Sequence, residues 1–143
     1  PGLPFLPFAI WRIMHHIGIF SNDDFSILVI YRKDGIVAHH TLVTPRYFRF
    51  PFMSRQDLQI GNVWTAEDCR GYGLALFALE KIIEAFGNSN RNLWYVTKED
   101  NIPSIKLAEK AGFVLYGEGV RTRRMGLSLL GAYEIRRITR NSI

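Results

Sequence analysis

The stretch 69–75, Cys-Arg-Gly-Tyr-Gly-Leu-Ala, closes a run of strand character over 58–65 and opens a run of helix character over 73–86. Glycines at a strand-to-helix junction let a backbone come close to a partner. The free N–H groups of a helix start make that partner an anion, commonly a phosphate. Two common phosphate loops fail on their residues. A P-loop needs Lys then Ser or Thr after its second glycine, where this chain has Leu74 and Ala75. A dinucleotide turn needs Gly or Ala three positions after Gly73, where this chain has Leu76, and it belongs at the start of a parallel sheet. Here an antiparallel hairpin comes first.

Outward from that turn the pattern alternates between the two periods. Residues 5–20 are apolar with Arg12, His15 and His16 interspersed, which predicts a helix packed on a sheet. Residues 25–32 and 36–43 are β-branched, apolar runs joined by Lys33-Asp34-Gly35, a hairpin signal. Residues 44–56, TPRYFRFPFMSRQ, are too irregular for a regular element and too apolar for a fully solvated loop. The helix over 73–86 places Leu74, Phe77, Ala78, Ile82 and Phe86 on one face, and Gly87 ends it. A strand over 92–97, a helix over 104–111 ended by Gly112, and strands over 113–120 and 131–138 complete the order. With no internal repeat and no low-complexity segment, residues 1–143 read as one α/β domain.

Composition bounds the function. A chain of 143 residues that is 48% hydrophobic and 22% charged can bury a core, and no apolar run approaches the length of a membrane span. One cysteine, Cys69, excludes an internal disulfide and argues against a Cys-rich metal site, so no metal is expected and a reducing, cytoplasmic setting is. Cys69 reads as a small turn residue. The net charge of +5 leans toward anionic ligands. The chain starts at Pro1 without a signal-peptide layout, which leaves open that a native N-terminal portion is missing.

Two motifs in the right order point to one family. Arg70-Gly71-Tyr72-Gly73-Leu74-Ala75 resembles the Arg-x-x-Gly-x-Ala acetyl-CoA turn of the GNAT acetyltransferase superfamily. Residues 101–113, NIPSIKLAEKAGF, resemble its Asn-x-x-Ser-x-x-x-x-x-Lys-x-Gly-Phe block. The resemblance implies an α/β (α+β) fold: a mixed, mostly antiparallel central sheet, helices on both faces, and a splayed central strand pair. It implies acetyl-CoA as co-substrate, its pyrophosphate on Arg70, Gly71, Tyr72, Gly73, Leu74 and Ala75. The pantetheine arm would run past Trp64 and Thr65, with Asn101 and Ser104 alongside. A plain tight turn would also explain the glycines, and a plain N-cap would also explain Ser104.

Acetyl transfer to an amine needs a neutral amine, a polarised thioester carbonyl and a proton for the departing thiolate. Family members often carry a carboxylate thirteen residues before the arginine. Asp57 holds that position, as general base or as a plain strand-start residue. His39 and His40 lie on the second hairpin strand, where alternation sends one inward and one outward, and His40 ranks as a reserve base. The family's general-acid tyrosine follows the leucine of the second motif, but here Leu107 is followed by Ala108. The thiolate proton must then come from water, from another residue, or not be needed.

Residues 45–55 suit an acceptor. Arg46 and Arg49 among Tyr47, Phe48 and Phe52 could grip an anionic, partly flat group, although core-edge filling explains the same aromatics. Over 57–119 the chain also resembles the GNAT branch of bacterial polysaccharide and lipopolysaccharide biosynthesis. That implies a small-molecule amine acceptor such as an amino sugar or nucleotide-linked sugar, with a peptide, polyamine or metabolite amine as alternatives. A catalytically silent CoA-binding module is the competing class, and a homodimer is left open. Nucleic-acid binding through Arg121, Arg123, Arg124, Arg136, Arg137 and Arg140 is set aside because no stacking platform accompanies them.

Overall fold

Asp34 and Gly35 turn the chain between two antiparallel strands, β1 (Ser26–Tyr31) and β2 (Val37–Pro45). Gly35 takes φ +80°, and Asp34 Oδ1 accepts the Ile36 N–H at 3.1 Å. The computed structural model describes residues 5–87, 90–122 and 131–139. β2 pairs antiparallel with β3 (Leu58–Thr65), and β3 pairs parallel with β4 (Leu93–Tyr95), giving a mixed sheet in the order β1-β2-β3-β4. β5 (Gly117–Arg121) and β6 (Tyr133–Ile138) form a separate antiparallel pair.

Strand alternation divides the core between the two faces of the sheet. On one face Val43, Leu58 and Ile60 pack with Leu79 and Ile82 of α2 (Leu74–Phe86) and with Leu107 of α3 (Ile102–Lys110). On the other, an aromatic cluster of Phe20, Tyr47, Phe50 and Met53 packs with Trp11 and Met14 of α1 (Phe5–His16) and with Trp94 and Tyr133. Leu93 and Tyr95 belong to the first cluster while Trp94 and Val96 belong to the second. Helices therefore lie on both faces, as the motifs implied.

Several boundaries move for physical reasons. α1 ends at His16, where Gly18 enters the left-handed region at φ +68°. Thr44 and Pro45 extend β2 because they pair with Gln59 and Leu58. On α2 the buried residues are Ala78, Leu79 and Ile82, and Phe77 is 50% exposed, so the apolar face is rotated from the predicted one. α3 starts two residues early because Asn101 Oδ1 accepts the Ser104 N–H at 3.3 Å and Pro103 suits a first turn. Arg123, Arg124 and Arg140 lie outside the described residues.

β4 is three residues long where six were expected, and two features of β3 explain it. At its start, Asp57 is 1% exposed and its carboxylate accepts from Ser54 N at 2.9 Å, Asn92 N at 2.8 Å, Trp94 Nε1 at 2.8 Å and Asn92 Nδ2 at 3.5 Å. This clasp fixes β4 beside β3. Further along, β3 carries an extra residue relative to β2 between Gly61 and Trp64, and Asn62 takes φ +47°. That bulge bends β3 away, so pairing stops at Ile60–Tyr95.

His39 and His40 do point to opposite faces, but both are buried, because β2 has strands on both sides and covered faces. This corrects the expectation of one solvent-facing histidine. His39 Nδ1 lies 2.8 Å from Thr65 Oγ1 and Nε2 lies 2.7 Å from Thr41 Oγ1. Burial, with His40 beside it, lowers its pKa to about 4. Burial also lowers that of His40. A histidine depressed in the fold and near 6.5 when unfolded is protonated first in the unfolded chain, so it withdraws stability as pH falls. Urea unfolding should show a loss on the order of 3 kcal/mol from His39 between pH 6.5 and 4, and His39→Gln should remove the larger part of it. A flat stability profile across that window would contradict the assignment.

Candidate active site

Where β3 leaves β4, two cavities open on opposite faces of the sheet. One, of about 220 Å³, lies between the parted strands and reaches Tyr95, Thr97, Asn101 and Ser104. The other, of about 190 Å³, is walled by Trp11, Tyr47, Arg49, Phe50, Gln59 and Tyr133. Both are lined by Gly61, Asn62 and Val96, so they share a wall at the bulge. A side chain at Gly61 would bring its Cβ within 2.7 Å of Gln59 Nε2, which donates to the Ile60 carbonyl at 2.6 Å. The β4-facing edge of 61–65 has no strand partner among the described residues.

At the far end of β3 a 3-10 turn, Glu67–Cys69, leads into the glycine stretch. Gly71 and Gly73 have φ +82° and +77°, and Gly73 is the N-cap of α2. A Cβ at either would meet nothing within 4 Å, so the backbone angle requires glycine and the space in front stays open. The first helical bond runs from Phe77 N–H to Gly73 O at 3.0 Å, which leaves the N–H groups of Leu74, Ala75 and Leu76 without a helical acceptor. No acidic residue occupies the first turn and no side chain caps it. Arg70 donates from Nε to the Thr65 carbonyl at 3.3 Å, which ties its charge to this corner, and Tyr72 stands 79% exposed beside it. These groups fit an anion.

The other expected donor-side residues divide. Asn101 and Ser104 line the cleft, Asn101 as the cap of α3 and Ser104 with its Oγ 2.7 Å from Tyr95 Oη. Trp64 and Thr65 do not line it: Trp64 stacks on His40 with centroids 5.2 Å apart, and the Thr65 hydroxyl is engaged by His39.

The groups considered for proton transfer sit in unlike places. Asp57 lies at the closed end of β3, about 16 Å along the strand from Asn62. Burial opposes its ionised form, but the hydrogen bonds from Asn92, Trp94 and Ser54 outweigh that and hold the carboxyl below its usual range. His40 packs edge-on to Phe8 at 5.1 Å and under Trp64, its Nδ1 has no partner among the described residues, and it lines neither cavity. Among the described residues Tyr95 is the single titratable side chain lining the inter-strand cleft; burial raises its pKa and the Ser104 bond opposes that.

Of the residues expected to hold an acceptor, Tyr47 and Arg49 line the second cavity. Arg46 instead reaches toward the Pro51 carbonyl at 3.5 Å, Phe48 leans outward against Tyr47, and Phe52 packs on Trp94. Trp11, Gln59 and Tyr133 join the wall without a motif to announce them. Tyr133 is brought in when its N–H donates to the Arg49 carbonyl at 2.8 Å and its ring stacks on Phe50.

No curated protein matches the chain by sequence. Among solved structures, a proposed acetyltransferase of Acinetobacter baylyi ADP1 superposes with a TM-score of 0.61 at 19% identity, covering 80% of this chain. The chain spans 60% of that protein's length. A ribosomal-protein-alanine N-acetyltransferase of Brucella melitensis gives 0.60 at 22% identity, covering 84% of this chain and 69% of its own. A proposed acetyltransferase of Agrobacterium tumefaciens strain C58 gives 0.59 at 22%, covering 85% and 81%. At these identities the likeness is one of fold, and none of it supports the polysaccharide branch. Residues 4–113 match the model of the Acetyltransferase (GNAT) family, more than half of the chain. The chain belongs to the GNAT acetyltransferase family.

Proposed function

We propose that this chain is an acetyl-CoA-dependent N-acetyltransferase in which a primary amine attacks the donor directly across the parted strands. The observation that carries the reading is that two cavities, one on each face of the sheet, are both lined by Gly61, Asn62 and Val96 at the bulge. Acetyl-CoA supplies the thioester carbonyl. Gly71 and Gly73 leave room for a pyrophosphate against the N–H groups of Leu74, Ala75 and Leu76, with Arg70 at its side. The unpaired edge of 61–65 offers backbone donors and acceptors to the amides of an extended arm, as an added strand does.

In the transfer the amine nitrogen bonds the acyl carbon, the carbon–sulfur bond breaks, one proton leaves nitrogen and one reaches sulfur. Tyr95, oriented by Ser104, keeps its proton at neutral pH and serves as the acid in place of the tyrosine absent at Ala108. Asp57 acts as the clasp of β3 and β4 rather than as base. With His40 sealed away, the amine enters as its neutral form. The aromatic wall with Arg49 supports an amino sugar or nucleotide-linked sugar as acceptor; peptide, polyamine and metabolite amines are the competing acceptors.

Gly73→Asp places a like charge where the pyrophosphate would sit and should weaken acetyl-CoA binding by at least about tenfold in calorimetry. Unchanged affinity would remove the donor site from this turn. Tyr95→Phe should lower kcat by roughly a hundredfold while KM for acetyl-CoA stays within about threefold. Asp57→Asn should cost about 2–3 kcal/mol of stability, since its amide turns donors toward Ser54 and Trp94, yet keep kcat/KM per folded molecule within a few-fold. Lost turnover at unchanged stability would restore Asp57 as the base. Tight CoA binding with no turnover on any amine would identify a binding module instead.

A further inference from the structure

The second cavity is asymmetric in charge. Of the described residues lining it Arg49 is the only cation, and no carboxylate is among them. The Arg49 guanidinium lies 5.8 Å from the centroid of the Tyr47 ring, and Tyr47 is locked in the aromatic cluster, edge-on to Trp11, Phe20 and Phe50. From β5, Arg121 brings a second guanidinium to 5.9 Å from the centroid of the Tyr133 ring. Register explains this: Arg121 pairs with Tyr133, whose N–H is tied to the Arg49 carbonyl. Both guanidinium charges act on the Tyr47 hydroxyl, which burial nevertheless pushes up to about 12, so the phenol stays neutral and does not compete as an anion. The one acid next to Tyr133 on β6, Glu134, is exposed, and alternation turns it from the side Tyr133 faces.

One end of the cavity is thus aromatic and cationic at Arg49, with Arg121, exposed and outside the lining, flanking it across Tyr133; the other end, at Gly61 and Asn62, is uncharged and shares its wall with the inter-strand cleft. We propose that the acceptor is a small primary amine carrying an anionic group, carboxylate or phosphate, with that group held by Arg49 and Arg121 and the amine directed to the bulge. This rests on the acetyl-transfer reading above. A guanidinium fork suits both anions, and the partly enclosed site strengthens the attraction. A polyamine meets the opposite condition: its distal ammonium would enter beside two guanidiniums with no carboxylate to pair it. The cavity's volume, below the 300 Å³ at which drug-sized pockets begin, admits the amine-bearing part of a ligand and not a whole nucleotide conjugate.

The test uses matched amines on the full chain saturated with CoA: glucosamine 6-phosphate against glucosamine, phenylalanine against phenethylamine, and spermidine. Calorimetric binding to the CoA complex is read beside steady-state kcat/KM with acetyl-CoA. The anionic member of at least one pair should bind and react at least tenfold better than its uncharged-tail partner, and spermidine should be the poorest. The pair that responds tells a phosphate from a carboxylate. Arg121→Met, on an exposed strand position, should shrink that preference several-fold, and Arg49→Met should bring it close to one. CoA affinity measured alone is the control that separates this proposal from the donor site. Normal CoA affinity with equal or reversed preference within both pairs, or a preference untouched in Arg121→Met and in folded Arg49→Met, would overturn it. Failure to bind CoA at all would instead overturn the reading on which it rests.

Discussion

The site depends on a strand pair that is held at one end and prevented from pairing at the other. Parallel strands normally add ladder bonds along their length, and residues 92–97 have the composition to do so. Pairing stops after Ile60 and Tyr95 because the bulge at Asn62 bends β3 while the Asp57 clasp keeps the closed ends together. Asparagine is among the few non-glycine residues that enter the left-handed region, at a cost of about 1 kcal/mol. A buried carboxylate is tolerated at the other end because its acceptor capacity is met. The clasp adds to the three ladder pairs and the shared core that hold the closed ends, and the bulge keeps the pairing from running on. The open backbone edge is the part of the sheet whose hydrogen-bonding capacity is left to a ligand.

Charge is arranged around this opening in two places. Arg70 and the uncapped start of α2 make the glycine turn positive, while Arg49 lines the other cavity and Arg121 lies beside it over Tyr133. The sheet between them stays neutral, since His39 is bonded through both ring nitrogens and depressed by burial. Protonating it would put a charge against the β3 residue whose carbonyl anchors Arg70.

Much of the donor half was legible because it is written in local chemistry. The positive-φ glycines 71 and 73, the helix that follows, the Asp34-Gly35 hairpin and the Asn101 cap each depend on residues within a few positions of one another. The bulge was not legible, because Gly61-Asn62 reads as ordinary strand interior and only the one-residue mismatch with β2 reveals it. Asp57 drew attention for its spacing from Arg70, yet its role is decided by Asn92 and Trp94, 35 and 37 residues away. The acceptor wall failed in the same way: Tyr47 and Arg49 were reachable from a local cluster, whereas Trp11, Arg121 and Tyr133 arrive by tertiary packing. The placement of both histidines inside followed from β2 being an interior strand, which alternation alone does not tell.

If the proposed transfer takes place at the bulge, the lack of a side-chain base there among the described residues has a consequence for selectivity that is independent of shape. A site that cannot deprotonate its amine accepts only the neutral fraction delivered by solvent. An amine with the pKa of an α-amino group, about 8, is neutral in roughly a tenth to a fifth of molecules near pH 7.2, whereas a lysine-like amine of about 10.4 is neutral in fewer than about one in a thousand. Protonation alone then favours weakly basic amines by more than a hundredfold, equivalent to about 3 kcal/mol. Amines flanked by electron-withdrawing hydroxyl, acetal or neutral carbonyl groups fall in the favoured class, and alkyl polyamines in the other. Under the acetyl-transfer proposal, Arg49 at one end of the cavity and the lack of a base among the described residues at the other would both disfavour alkyl polyamines, one through charge and one through basicity.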